Sequence, residues 1–124
     1  MIQHRTMLPV ADNTGIKLLM VIQIYGGSKR RKGYLGDMIG CVVKKALPNT
    51  QFKKGDKVKA VLVRSRKEFK RVDGTYIRFS ENAGVVITSD KDKNPIGTRI
   101  FGPIAREIKD KGYAKIASLA SHVV

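Results

Sequence analysis

Acidic residues are scarce in this chain: 10 Asp and Glu stand against 25 Lys and Arg, so 124 residues carry a formal charge of +15. No globular fold requires that excess, and self-repulsion weakens the free folded chain, which leaves association with a polyanion as its use. Cysteine is nearly absent. Cys41 alone cannot build a disulfide framework, so a reducing compartment is expected, and its apolar neighbours read it as a small buried hydrophobe. The two histidines, His4 and His122, lie near opposite ends, and most carboxylates sit in turns beside Gly or Lys. No nucleophile–base set and no metal-ligand spacing can be assembled from them, so the sequence predicts no enzyme, no metal, no cofactor and no small-molecule substrate. Nor does any segment approach the roughly 20 apolar residues of a membrane helix, and no long basic amphipathic helix is present to lie on a bilayer. The opening MIQHR turns polar at once, unlike a secretory signal. A soluble intracellular protein without a membrane partner is the expectation.

What the chain does contain is a series of short apolar runs punctuated by turn residues. The central one, Gly55 to Lys67 (GDKVKAVLVRSRK), has β-branched and small apolar residues from Val58 to Val63 and cations at both ends. A buried strand here delivers positive charge to its two mouths. Ile2 to Leu8 alternates loosely and predicts a first strand ending before Pro9. Ala11-Asp12-Asn13-Thr14-Gly15 is a tight turn, and Ile16 to Ile24 is a strand buried on both faces, though a core helix satisfies the same run. Asp37 to Ala46 supplies another strand, with Gly40 at a bulge or corner. Lys70 to Gly74 predicts a hairpin on a two-residue Asp-Gly turn, Thr75 to Phe79 alternates, and Ala83 to Thr88 is a further short strand. Asp90 to Pro95 is a charge-balanced turn. Pro103 stands where a first helical residue is favoured, with Gly112 past the end, and a second helical piece runs from Ala114 to Ala120. Strand length and turn spacing favour a small closed barrel over a sandwich, because closure removes exposed edges. One domain, 1–124, is expected, with the barrel and its basic loops over 1–101 and a C-terminal helical lid over 102–124.

The cations are unevenly placed. Lys29 to Lys32 are consecutive between glycines, and the Walker pattern for nucleotide binding is missing there. Between Cys41 and Ser80, twelve cations, among them Lys44, Lys53, Lys54, Arg64, Arg66, Lys67, Arg71 and Arg78, face three acids. That third of the chain, at +9, is the electrostatic footprint. Tyr25, Tyr34 and Phe69 lie beside basic residues and either stack on bases or close the barrel's ends. Phosphate neutralisation would supply affinity and the shape of a folded RNA its specificity. The alternative is a free oligonucleotide-binding β-barrel acting on single strands, which would need exposed aromatics on a strand face; the alternation places few there.

The runs VADNTG, GGSKRR, KKGDKVKAVLVRSRK, DGTYIRF, GTRIFGPIARE and KIASLA together resemble, in order and at about the same spacing, the universal family of large-subunit ribosomal protein fourteen, in its bacterial or organellar branch. The resemblance spans essentially the whole chain. It implies a mainly β fold, a closed five-stranded β-barrel with a short C-terminal helical segment, bound to large-subunit rRNA in a ribosome of the cytoplasm or of an organelle. It further implies small-subunit rRNA as a partner through an intersubunit bridge, ribosomal proteins three and nineteen as neighbours, and a ribosome-silencing factor as a docking partner. Carried onto this chain, Gly26, Gly27, Ser28, Lys29, Arg30, Arg31, Lys53, Lys54, Arg64, Arg66, Lys67, Arg78 and Arg99 face rRNA. Lys32, Lys44 and Arg71 join that set from the charge pattern. Thr98, Arg99, Phe101, Arg106 and Lys115 mark the neighbour-protein and bridge face. Lys32-Gly33 stands where the family usually has Tyr-Ala, and Ser121-His122 where it usually has Pro-Glu.

Overall fold

The computed structural model describes residues 2–26, 31–88 and 93–124. Within them the chain forms β1 (Ile2–Gln3), β2 (Met7–Pro9), β3 (Ile16–Ile24), β4 (Lys32–Gly33), β5 (Met38–Ala46), β6 (Lys57–Arg64), β7 (Phe69–Lys70), β8 (Tyr76–Ile77), β9 (Ala83–Ile87), β10 (Ile100–Ile104), α1 (Glu107–Asp110), α2 (Ala114–Leu119) and β11 (Ala120–Val123). The long apolar runs are all strands. Ile16–Ile24 is strand and not helix because it lies between two antiparallel neighbours, β2 and β5; it buries Ile16, Leu19, Val21 and Ile24, with register shifts in its pairing to β5 between them. The expected first strand is broken at Arg5, whose φ of 71° turns the chain, so β1 pairs with β4 while β2 joins the main sheet with Pro9 on its edge. Residues Asp90, Lys91 and Asp92 of the expected turn lie outside the described residues.

β2, β3, β5, β6 and β9 form one antiparallel sheet in that order. It curls until its edges touch. Val10, just past β2, bridges to Gly84 of β9, and the Ala11 N–H donates to the Gly84 carbonyl at 2.9 Å. This close approach needs a glycine, since a Cβ at position 84 would lie 2.9 Å from Leu8 Cδ2. Leu8, Leu19, Val21, Ile39, Cys41, Val43, Ala60, Leu62 and Val86 fill the inside. Burial pushes the Cys41 thiol up to about 12, so it is inert in the core.

A second core lies on the outside of β6 and β9. Val61, Val63, Val85 and Ile87 point away from the barrel and are covered by Ile100, Ile104, Ile108, Tyr113 and Ile116 of the C-terminal segment. These two strands are therefore buried on both faces, which is why each reads as a near-continuous apolar run. Each large aliphatic side chain so covered contributes roughly 1.5–3 kcal/mol.

The C-terminal segment departs from the expected helix starting at Pro103. Pro103 lies in β10, which pairs in parallel with β11 through Pro103 with His122 and Ile104 with Val123. Helix begins only at Glu107 and stops at Asp110, ahead of Gly112 at φ 97°. Two distant contacts hold β10 extended: Ile100 bridges Asp12, and the Phe101 N–H donates to the Ala11 carbonyl at 2.6 Å. Both override the local helix-start signal. The β7–β8 hairpin is present, but its connection is residues 71–75, with Asp73 Oδ1 accepting from the Thr75 N–H and O–H at 3.0 and 2.7 Å.

Candidate nucleic-acid interface

The strand register sorts the cations into two ends of the barrel. Ile16 pairs with Ala46, and Val42 with Lys57, so residues 11–15, 46–57 and 93–99 gather at one end. Residues 25–26, 31–37 and 64–82 gather at the other.

At the first end the loops are braced by their own backbone and leave their lysines outside. The Leu47 N–H donates to the Gly15 carbonyl at 2.8 Å, and Gly15 packs directly on the Thr50 side chain. Asp56 accepts the Lys53 N–H at 2.8 Å, so the local carboxylate is engaged with backbone. Lys44, Lys45, Lys53 and Lys54 line a groove of about 500 Å³ beside Leu47 and Pro48. Lys44 is half-buried; the other three are exposed. Across the turn, Asn13 clasps the 97–99 segment: its Oδ1 accepts from the Thr98 and Arg99 N–H groups at 2.8 and 3.2 Å, while its Nδ2 donates to Thr98 Oγ1 at 2.8 Å. A Cβ at Gly97 would lie 2.7 Å from Asn13 Oδ1, so the clasp needs a bare residue there. Thr98 and Arg99 are exposed. Beneath them Asp12 is buried, its carboxylate accepting from Val86 N–H at 3.0 Å and from the Thr14 hydroxyl at 2.7 Å. Burial raises its pKa above the ordinary 3.8, against the lowering by these hydrogen bonds.

At the second end two arginines are turned inward. The Arg64 side chain is 12% exposed, donates from Nη2 to the Phe101 carbonyl at 3.0 Å and lies 3.7 Å from Glu81. It fills the space over Gly102, where a Cβ would collide with its guanidinium, and burial lowers its pKa while Glu81 acts the other way. Arg71 forms a two-pronged pair with Glu107 at 2.6 and 3.3 Å and also donates to the Val124 carbonyl. With side chains 15% and 16% exposed, Arg71 and Glu107 tie the hairpin to the C-terminal segment. Lys111 likewise joins Asp37 at 3.3 Å and the Leu35 carbonyl at 3.1 Å.

The remaining described cations of this end are exposed: Arg31, Lys32, Arg66, Lys67, Lys70 and Arg78; Gly26 has φ 111°. Lys67 lies 3.1 Å from Glu68, whose carboxyl is held below its usual range by its own backbone N–H and then by Lys67. Gly27, Ser28, Lys29 and Arg30 lie outside the described residues. Phe101, Arg106 and Lys115 are exposed on the C-terminal segment. Of the aromatics, Tyr25 packs over Gly40 with Lys59 Nζ 5.5 Å from its ring, Phe69 is half-buried against the outer core, and Tyr34 is 40% exposed. Among the described residues no three His, Cys, Asp or Glu gather to hold a metal, and no helix is long and apolar enough to cross a membrane.

The family model of ribosomal protein L14p/L23e matches residues 1–124. The chain belongs to this family. A relative from the bacterium Petrotoga mobilis (strain DSM 10674 / SJ95), the large ribosomal subunit protein uL14, is 55% identical over 123 residues, 99% of each chain. Within this L14p/L23e chain, sequence reasoning did not reach the partners of Asn13 and Arg71. Asn13 meets Thr98 across 85 residues and Arg71 meets Glu107 across 36, and no local pattern signals either.

Proposed function

We propose that this chain is a structural component of the large ribosomal subunit and binds large-subunit rRNA. The observation that carries this reading is the near full-length similarity to a protein of that name. The cations at both ends of the barrel support it: exposed Lys53, Lys54 and Arg99 with half-buried Lys44 at one, exposed Arg31, Lys32, Arg66, Lys67 and Arg78 at the other. Their role is phosphate neutralisation on a rigid mount, with no turnover. Arg64 and Arg71 contribute indirectly, by holding the C-terminal segment against β6.

On the same reading, Thr98, Arg99, Phe101, Arg106 and Lys115 form the face that meets neighbouring ribosomal proteins three and nineteen, small-subunit rRNA in a bridge, and a silencing factor. Sedimentation tests the main proposal. The protein is expected to travel with large subunits at low salt and to be stripped by a high-salt wash. With about eight phosphates engaged, the log–log salt slope for the isolated protein on its rRNA fragment is expected to be roughly −6. A slope near zero overturns the electrostatic role.

A further inference from the structure

Beside the lysine groove lies a smaller one of about 250 Å³ that shares Thr50 and Phe52 with it and is rimmed by Asn13, Thr14, Gln51 and Thr98. Most of its polar groups are already engaged. The Thr14 hydroxyl donates to Asp12, the Thr50 hydroxyl faces the Leu47 and Phe52 carbonyls at 3.0 and 2.9 Å, and the Asn13 amide is held by Thr98 and Arg99. Two polar groups remain for a visitor. One is the exposed Gln51 amide, which makes no hydrogen bond among the described residues; the other is the Thr98 O–H, whose oxygen already accepts from Asn13. A carboxamide presents both an acceptor and donors, the combination that pairs with a base edge.

The rest of the groove suits a ring. Phe52 is half-buried where three grooves meet, and Ile96 completes the apolar lining. Cations flank it in sequence on both sides, Lys53 and Lys54 after Phe52 and Arg99 after Thr98. At about 250 Å³ the groove falls below the roughly 300–1,000 Å³ of sites that enclose a drug-sized ligand, so it takes one ring system and leaves the sugar and phosphates outside, where the cations are. RNA readers meet splayed-out bases with this combination of aromatic surface, edge hydrogen bonds and flanking charge.

We infer that this groove receives one unstacked nucleobase of large-subunit rRNA, with its ring against Phe52, its edge on Gln51 and Thr98, and its flanking phosphates on Lys53, Lys54 and Arg99. Asn13 is a positioning residue, since its clasp fixes the Thr98 hydroxyl before the base arrives, which reduces the ordering cost of binding. The inference rests on the rRNA reading above and adds a site to it.

Ultraviolet crosslinking of isolated large subunits that carry the protein, followed by peptide and nucleotide mapping, is the test. An adduct is expected between one nucleotide and the 51–54 or 96–99 peptide. Phe52 also packs against the barrel core, so the variant of choice is Gln51→Ala, on an exposed side chain. In those subunits the mapped base is expected to react about fivefold faster with a base-modifying reagent, the loss of one hydrogen bond. Asn13→Ala should raise reactivity too, and the total effect of the double variant should be smaller than the sum of the two single effects. Full additivity assigns Asn13 a merely structural part and overturns its positioning role. Adducts confined to other peptides, or reactivity indifferent to Gln51→Ala, overturn the base site while leaving the rRNA reading intact. An adduct that forms only after small subunits join overturns it in favour of small-subunit RNA. Failure to sediment with large subunits overturns the underlying reading instead.

Discussion

The two ends of the barrel carry the same sign of charge and use it differently. At the Lys44–Lys54 end, the nearby carboxylates Asp12 and Asp56 are turned to backbone amides, and the lysines meet solvent. At the Arg64–Arg71 end, two guanidinium groups are drawn inward to Glu107, Glu81 and main-chain carbonyls, where they fasten the C-terminal segment. The division follows chemistry. Arginine's planar fork keeps its charge when partly buried and serves two acceptors at once, whereas lysine is a strongly hydrated point charge on a mobile stem. Positive charge in this chain is thus in part a structural material at one end, whereas at the other it is left to solvent as a proposed contact surface.

Breaking the inward-turned end should have the largest effect. Arg71→Ala leaves Glu107 largely buried without its partner, and a loss of about 3 kcal/mol in urea unfolding is expected. Arg71→Ala with Glu107→Ala should lose less than the two single changes combined; full additivity would mean that the pair is not coupled. Gly102→Ala should cost about 2 kcal/mol, since φ there is 81° and the new methyl displaces Arg64. Thermal or chemical unfolding measures it.

The contact end should be more tolerant, with one exception beneath its surface. Asp12→Asn exchanges an acceptor for a donor opposite a backbone N–H, with about 1.5 kcal/mol lost. Its pH dependence has a definite sign. Because burial raises the folded-state pKa above 3.8, the native protein binds the proton more tightly than the unfolded chain. That contribution is complete below pH 3.8 and is lost as pH rises through the folded pKa, so the wild-type advantage over Asp12→Asn should narrow across that window. A widening gap would contradict the desolvation account. The smallest effect on stability belongs to Lys53→Ala with Lys54→Ala, within about 0.5 kcal/mol. The same variant should make the rRNA salt slope shallower by about 1.5, because two phosphate contacts are gone.

These contrasts also show which parts of the molecule a sequence can reveal. β3, β5, β6 and β9 were legible because a strand buried on one or both faces writes its apolar pattern into consecutive residues. α2 was legible in the same way, through Ile116 and its neighbours. The start of the C-terminal helix was not. Gly102-Pro103 carries a helix-start signal, yet Ile100 and Phe101 are held extended by Asp12 and Ala11, about 90 residues earlier, and that ladder wins. The candidate site divides likewise. Its exposed lysines followed from charge counting, but no count separates Arg71, paired with Glu107, from the exposed Arg78. The Asn13 clasp closes only when residues 97–99 arrive.

The wall formed by β6 and β9 has a consequence for a chain still being made. Its outward side stays bare until the residues that cover it, Ile100 to Ala117, have been synthesised. At about 5–20 residues per second, the 30 residues from Ile87 to Ala117 take roughly 2–6 seconds. Through that interval Val61, Val63, Val85 and Ile87 form an oily stripe on a growing polypeptide of high positive charge. The high net charge of like sign opposes the association of such stripes on neighbouring chains.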